Sequence, residues 1–286
     1  MSTKIIQDRL DSYQCKTAPE EEQALREITQ EVALAALART DFFRFAAFHG
    51  GTCLRIFYGI NRFSEDFDFL LKEPDQNFNL EPYLKSLSDE LDAYGYKLET
   101  MDRSKADSAV KKAFIKDDSI GRVLQLNHLR ADRSMRKIRI KLEIDTNPPE
   151  ESNHEIKYLD FPFVSSVTIQ DLPSLFAGKI HALLCREYTK GRDWYDFIWY
   201  AGRGVDINYQ FLASALKQQG PWQGQELKVD KEWSIKTLHE KICSLDWQEA
   251  KNDIRRFVRQ NELASLDLWD KELFLDRLDK YASKVK

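Results

Sequence analysis

Asp66 and Asp68 stand two residues apart in the segment Ser64 to Leu71, alternating with Phe67 and Phe69. In an extended strand that period puts both carboxylates on one face and both rings on the other. Paired carboxylates on one face are a compact donor set for Mg2+, which wants oxygen ligands at roughly 2.1 Å and takes few of them from protein when substrate phosphates supply the rest. A solvated surface strand carries the same alternation, so the pair gains meaning from its company. Gly50-Gly51-Thr52 lies 14 residues upstream of Asp66. A glycine pair at a helix start exposes backbone N–H groups to a triphosphate, and Thr52 adds a hydroxyl donor; the plainer alternative is an ordinary strand-to-helix turn.

Further polar groups lie on two later elements. From Lys137 to Thr146, Ile138, Ile140, Leu142 and Ile144 take one side of a strand, and Arg139, Lys141, Glu143 and Asp145 take the other, a face able to complete a site begun by Asp66 and Asp68. After Asp171-Leu172-Pro173 a helix is expected to about Tyr188, carrying Lys179; Gly191 ends it, and a second helix starts near Asp193 and carries Asp196. Lys179 reads as a surface lysine or as a neutraliser of phosphate charge. Asp193 reads as a cap and Asp196 as a partner of Arg192, or both as chemical groups. His49 and His181 read as packed, hydrogen-bonded histidines.

The elements that must position these groups follow from the same periodicities. Thr17-Ala18-Pro19-Glu20 forms a capping box for a long first helix running to about residue 39. Phe43 to His49 reads as a short strand or a buried helix end, with a second short helix from about Thr52 and a turn at Gly59 to Arg62. A helix over Leu80 to Tyr94 and short strands near Tyr96 to Thr100, Val110 to Ile115 and Arg122 to Leu126 complete the first half. From about Val205 the pattern is helical and highly charged. The implied architecture is an α/β core with a mixed sheet over residues 1–165 and a helical domain over 166–286.

Composition bounds the rest. With 42% hydrophobic and 31% charged residues over 286 positions, the chain has an ordinary globular balance. No apolar run reaches the roughly 18 residues of a membrane helix and no signal peptide opens the chain, so a cytoplasmic protein without membrane contact is expected. The four cysteines show no Cys-x-x-Cys spacing. A net charge of −4 argues against nonspecific nucleic-acid binding by the whole molecule, yet Arg130, Arg133, Arg136, Lys137, Arg139 and Lys141 face only Asp132 in their stretch. Such a run is a solvated surface or a local track for RNA phosphates.

Together, His49-Gly50-Gly51-Thr52, Leu54-Arg55, Arg62-Phe63-Ser64-Glu65-Asp66-Phe67-Asp68, the Lys179 to Arg186 helix and Gly191-Arg192-Asp193-Trp194-Tyr195-Asp196 resemble, in order and spacing, the motifs of the AbiEii-type nucleotidyltransferase toxins, over about residues 20 to 200. One departure is Thr52 where Ser is frequent, which keeps the hydroxyl. The resemblance implies a polymerase-beta-like nucleotidyltransferase core, dependent on Mg2+ (or Mn2+), often the toxin of a bacterial toxin–antitoxin pair or phage-defence locus. By position, it gives Asp66 and Asp68 to the metal, Gly50, Gly51 and Thr52 to phosphate, and Lys179 to the triphosphate of the NTP. Arg192, Asp193 and Asp196 fall to nucleotide, metal or acceptor. It favours Glu143 over Asp145 as a base on the acceptor hydroxyl, with RNA, at a tRNA 3′ end, as acceptor and an antitoxin as partner. The alternatives are a metal-dependent glycosyltransferase, which also uses D-x-D but does not call for Lys179 or the Arg192 to Asp196 motif, and a noncatalytic nucleotide- or RNA-binding protein.

Overall fold

The computed structural model describes residues 2–102, 110–117, 124–128 and 138–285, divided into two compact units. The first holds residues up to 59, 63–148 and 155–169; the second holds 60–62, 149–154 and 170 onward. The short insertions of each unit into the other's stretch of sequence are invisible to a reading that cuts the chain once.

The first unit is built on a seven-stranded mixed sheet in the order β3-β4-β5-β2-β1-β7-β6. These are β1 (Ala46–His49), β2 (Asp66–Leu71), β3 (Leu98–Asp102), β4 (Val110–Asp117), β5 (Ile138–Asp145), β6 (His154–Leu159) and β7 (Ser165–Gln170). β2 runs parallel to β5 and antiparallel to β1, and β4 runs antiparallel to β5. The alternation written into β2 and β5 is realised: Phe67 and Phe69, and likewise Ile140, Leu142 and Ile144, are buried to 1% exposure or less. Phe67 and Phe69 join Phe42 and Phe48 in a chain of edge-on and tilted ring contacts with centroids 5.0–5.2 Å apart. Burying such rings is the main source of stability here, about 1.5–3 kcal/mol for each large apolar side chain.

Among the described residues this unit carries the helices α1 (Ser2–Ser12), α2 (Ala18–Ala38), α3 (Phe42–Phe45), α4 (Gly50–Tyr58) and α5 (Glu81–Ala93). The expected first helix is α2, preceded by α1. Thr17 caps it by accepting from the Glu20 N–H at 3.4 Å, and the Glu20 carboxylate reaches back to the Lys16 N–H at 2.7 Å, one residue before the box position. Other corrections are local. Phe42 to His49 splits into one helical turn and a strand, and α4 takes in both glycines instead of starting at Thr52. β6 and β7 were not expected. The expected strand at Arg122 to Leu126 lies partly outside the described residues, and 124–126 carry no strand. The basic stretch from Arg130 to Lys137 lies outside them as well.

The second unit is helical: α6 (Leu172–Cys185), α7 (Gly191–Arg203), α8 (Tyr209–Gln218), α9 (Lys231–Ser244), α10 (Trp247–Ile254) and α11 (Lys271–Lys284), with two 3-10 segments between α10 and α11. Asp171 caps α6 through the Ser174 N–H at 2.9 Å, and Asp230, Asp246 and Asp270 cap later helices in the same way. Trp194, Phe197 and Tyr200 of α7 fill the interior with Phe176 and Phe274, while Tyr195 and Trp199 are half-buried. No helix among the described residues is long and apolar enough to cross a membrane.

Candidate active site

The sheet register gathers the polar groups of the first unit into rows. His49 on β1 pairs with Asp68 on β2, Asp68 with Glu143 on β5, and Glu143 with Lys112 on β4. Registered neighbours share a face, so these four side chains form one row across four adjacent strands. In the next row Asp66 pairs with Lys141. Asp145 pairs instead with Leu70, one row beyond that of Asp68 and two beyond that of Asp66. The choice between Glu143 and Asp145, which alternation left open, thus has a geometric answer for proximity: Glu143 is the neighbour of Asp68.

Glu143 is held by two ammonium groups, Lys141 Nζ at 2.7 Å from Oε2 and Lys112 Nζ at 3.4 Å from Oε1. Burial alone pulls the Lys141 ammonium below its ordinary range. The hydrogen bond and charge of Glu143 outweigh this, joined by Asp66 and Asp68, and its pKa is raised. Burial pushes the Asp145 carboxyl up, against a hydrogen bond from the Asn147 N–H at 2.9 Å.

The glycine turn abuts this row. Gly50 has φ +77°, in the left-handed region, and a Cβ placed on it would sit 2.6 Å from Asp68 Oδ2. No residue with a side chain fits there without moving the carboxylate, so the first residue of α4 and Asp68 are built around one another. Thr52 is fully buried and its hydroxyl donates to the Asp66 carbonyl oxygen. That bond ties the first turn of α4 to the start of β2, and it turns the Thr52 proton toward the strand rather than toward a ligand.

The donor chemistry fits a hard divalent cation. Asp66, Asp68 and Glu143 supply only carboxylate oxygens, on one face, beside the backbone of a helix N-terminus. Among the described residues no group of three or more His, Cys, Asp or Glu side chains forms a ready-made metal cage. Asp66 and Asp68 could hold Mg2+, an ion that takes few protein ligands where phosphate oxygens supply the rest.

In the second unit Lys179, Asp193 and Asp196 come together. Lys179 Nζ lies 2.6 Å from Asp193 Oδ1 and 2.8 Å from Asp196 Oδ2. Asp196, wholly buried, also accepts two hydrogen bonds of 2.6 Å from Arg62, and Arg186 Nη1 lies 3.1 Å from Asp193 Oδ2. Burial lowers the Lys179 pKa, but Asp193 and Asp196 overcome it and hold the ammonium charged. For Asp193, burial acts upward, and the charges of Lys179, Arg186 and Lys190 bring the carboxyl down to about 2. Lys190, by contrast, is pulled down to about 8 by burial and by the neighbouring Arg192, Arg186 and Lys179, with Asp193 opposing. Arg192 stacks on Phe257 at 4.0 Å and lies 4.0 Å from Asp253, not on Asp196. Arg62 stands in the motif segment that leads to Asp66, but its pairing with Asp196, 134 residues away, has no signal in local spacing. His181 is a packed histidine, with Nε2 3.1 Å from the Gln219 carbonyl and its pKa lowered by burial.

This fold is that of nucleotidyltransferase toxins. MenT4, a nucleotidyltransferase toxin from Mycobacterium tuberculosis H37Rv, is similar over 100% of this chain and 91% of its own, with a TM-score of 0.60 at 14% identity. JHP933 from Helicobacter pylori is similar over 92% of this chain and 91% of its own, with a TM-score of 0.55 at 20% identity. No curated protein matches the chain. The family described as "Nucleotidyl transferase AbiEii toxin, Type IV TA system" matches residues 32–277, and the chain belongs to that family. It is a nucleotidyltransferase, and the glycosyltransferase and noncatalytic alternatives give way to that assignment.

Proposed function

We propose that this enzyme transfers a nucleoside monophosphate from an NTP to a hydroxyl of an RNA acceptor at a tRNA 3′ end, with release of pyrophosphate, and that it acts as the toxin of a toxin–antitoxin or phage-defence pair. The observation that carries the catalytic part is the fit of Gly50 against Asp68, where a Cβ would stand 2.6 Å from the carboxylate oxygen. A bare backbone at a helix start, pressed on a carboxylate pair, is a place for phosphate oxygens and metal together. Asp66 and Asp68 would hold Mg2+, which supplies Lewis-acid stabilisation of charge on the transferring phosphoryl group.

The chain's own residues do the rest by position and charge. Thr52 fixes the glycine turn to β2, so the backbone amides and the carboxylates keep one geometry. Glu143, next to Asp68 in register, accepts the proton of the acceptor hydroxyl once Lys141 and Lys112 release one of its oxygens. In the helical unit, the cations Lys179, Arg186, Lys190 and Arg192 outnumber Asp193 and Asp196, an excess suited to the phosphates of the substrate. The RNA part is supported by the basic stretch from Arg130 to Lys141 and rests on sequence.

The experiment is incubation of the pure protein with Mg2+, each labelled nucleoside triphosphate and total RNA. Asp66→Asn and Asp68→Asn should each lower transfer at least about tenfold, equivalent to about 1.4 kcal/mol of transition-state stabilisation, with melting curves near that of the parent protein. Activity above a tenth in both variants removes the carboxylate pair from the mechanism.

A further inference from the structure

Three carboxylates crowded on one sheet face repel one another, and in this protein a lysine stands among them. Lys141 is the register partner of Asp66, shares a face with Asp68 and Glu143, and places its Nζ 2.7 Å from Glu143 Oε2. Its side chain is 35% exposed, less than the 46% of Lys112 on the outer side of Glu143. The strand that carries Glu143 thus also carries the cation that neutralises it, two residues away on the same side. On β4 the registered neighbour of Lys141 is Phe114, and the ammonium is directed along its own strand to Glu143.

We propose that Lys141 is a resident counter-cation of the carboxylate set: its ammonium occupies the charge-balancing role of a divalent metal in the nucleotide-free protein and gives up Glu143 when metal arrives with the triphosphate. The inference rests on the proposed metal role of Asp66 and Asp68, and it adds a positioning residue that the D-x-D pattern does not contain. Its physical basis is charge balance. A tethered +1 charge on the same face as a bound +2 ion would oppose that ion, and the same charge lowers the mutual repulsion of the acids while the ion is absent. Bare metal is therefore held weakly. The anionic triphosphate, which brings its own oxygens and offsets the ammonium, restores binding.

Mn2+ titration of the nucleotide-free protein, read by the electron paramagnetic resonance of free Mn2+, tests this without any activity measurement. Lys141→Gln should bind Mn2+ at least about tenfold more tightly than the parent, whereas Lys141→Arg, which keeps the charge, should bind as weakly as the parent. Adding Asp68→Asn to Lys141→Gln should abolish the gain. Circular dichroism checks that each variant is folded, and Lys141→Met serves in place of Lys141→Gln if that one is not. Mn2+ affinity in the neutral variants equal to or below that of the parent, with Asp68→Asn still weakening it, overturns the counter-cation and leaves the metal pair standing. Mn2+ affinity indifferent to Asp68→Asn in every background overturns both.

Discussion

At Gly50 two separate demands fall on one residue. Its φ of +77° lies where an L side chain is strained, and the space a Cβ needs is taken by Asp68 Oδ2. Gly59 offers a control, since its φ is +66° and nothing lies within 4 Å of a Cβ placed there. Gly50→Ala and Gly59→Ala should each cost about 1–2 kcal/mol of stability through backbone strain. Only Gly50→Ala should also displace the Asp68 carboxylate, and a shift of about 1 Å at a reacting centre lowers turnover about a hundredfold. Equal residual activity in the two variants, compared at matched folded fractions, would show that the contact is incidental. At this scale the sequence was informative about residue type and silent about direction. The alternation of Asp66 and Asp68 with two phenylalanines was enough to place them on one face. That the Thr52 proton is turned to the Asp66 carbonyl, and that Glu143 rather than Asp145 stands beside Asp68, depends on strand register, which no single segment encodes.

Helices α6 and α7 show how spacing becomes a network. Lys179 on one helix and Asp193 and Asp196, three apart on the other, meet because i and i+3 share a helix face. The two helices were readable in the sequence, but the meeting of Lys179 with both acids was not, and neither was the pairing of Arg62 with Asp196. With Arg62 and Asp196 at 2% and 0% side-chain exposure, Asp196→Ala takes from a buried guanidinium the carboxylate that accepts two of its hydrogen bonds, and from Lys179 one of its two acids, a loss of about 3–5 kcal/mol. The acid limb belongs to Asp193, whose folded pKa of about 2 lies below the ordinary value of 3.8. A depressed carboxyl contributes stability that is present above the unfolded pKa and is lost as the pH falls from about 4 through about 2. Asp193→Asn should therefore lower the urea midpoint at pH 7 and flatten its decline between pH 4 and 2. A decline parallel to that of the parent protein would mean that Asp193 is not the group titrating there. Elements with a single strong periodicity, α2, β2 and β5, were legible for the same reason that these helices were. β6 and β7 were not: β6 leaves Ile156 and Tyr158 exposed, an apolar-out pattern that gives no inward-facing alternation to read.

Over the whole molecule, 47 acidic residues outweigh 43 basic ones, so a polyanionic acceptor has to be drawn by a local field and not by net charge. The stretch from Arg130 to Lys141 concentrates cations, six against the single Asp132, and it ends on β5 beside Glu143, the group proposed as base. Phosphate contacts made by such residues release condensed counterions, which gives RNA affinity a steep dependence on salt, about −0.7 in log–log slope per contact on a single strand. Reversing charge with Arg133→Glu and Arg136→Glu should weaken RNA binding across sequences and lower that slope by about 1–2, while NTP binding, measured by calorimetry, stays as it was. An effect on NTP affinity equal to that on RNA would place these arginines on the nucleotide instead. Self-modification is separated by the product: a protein that carries the nucleotide on its own Ser, Thr or Tyr shows label in the protein band and no salt-dependent label in RNA. Label confined to the protein at every salt concentration would remove the RNA acceptor while leaving the nucleotidyltransferase assignment intact, since that assignment rests on the family match over residues 32–277 and not on the basic stretch.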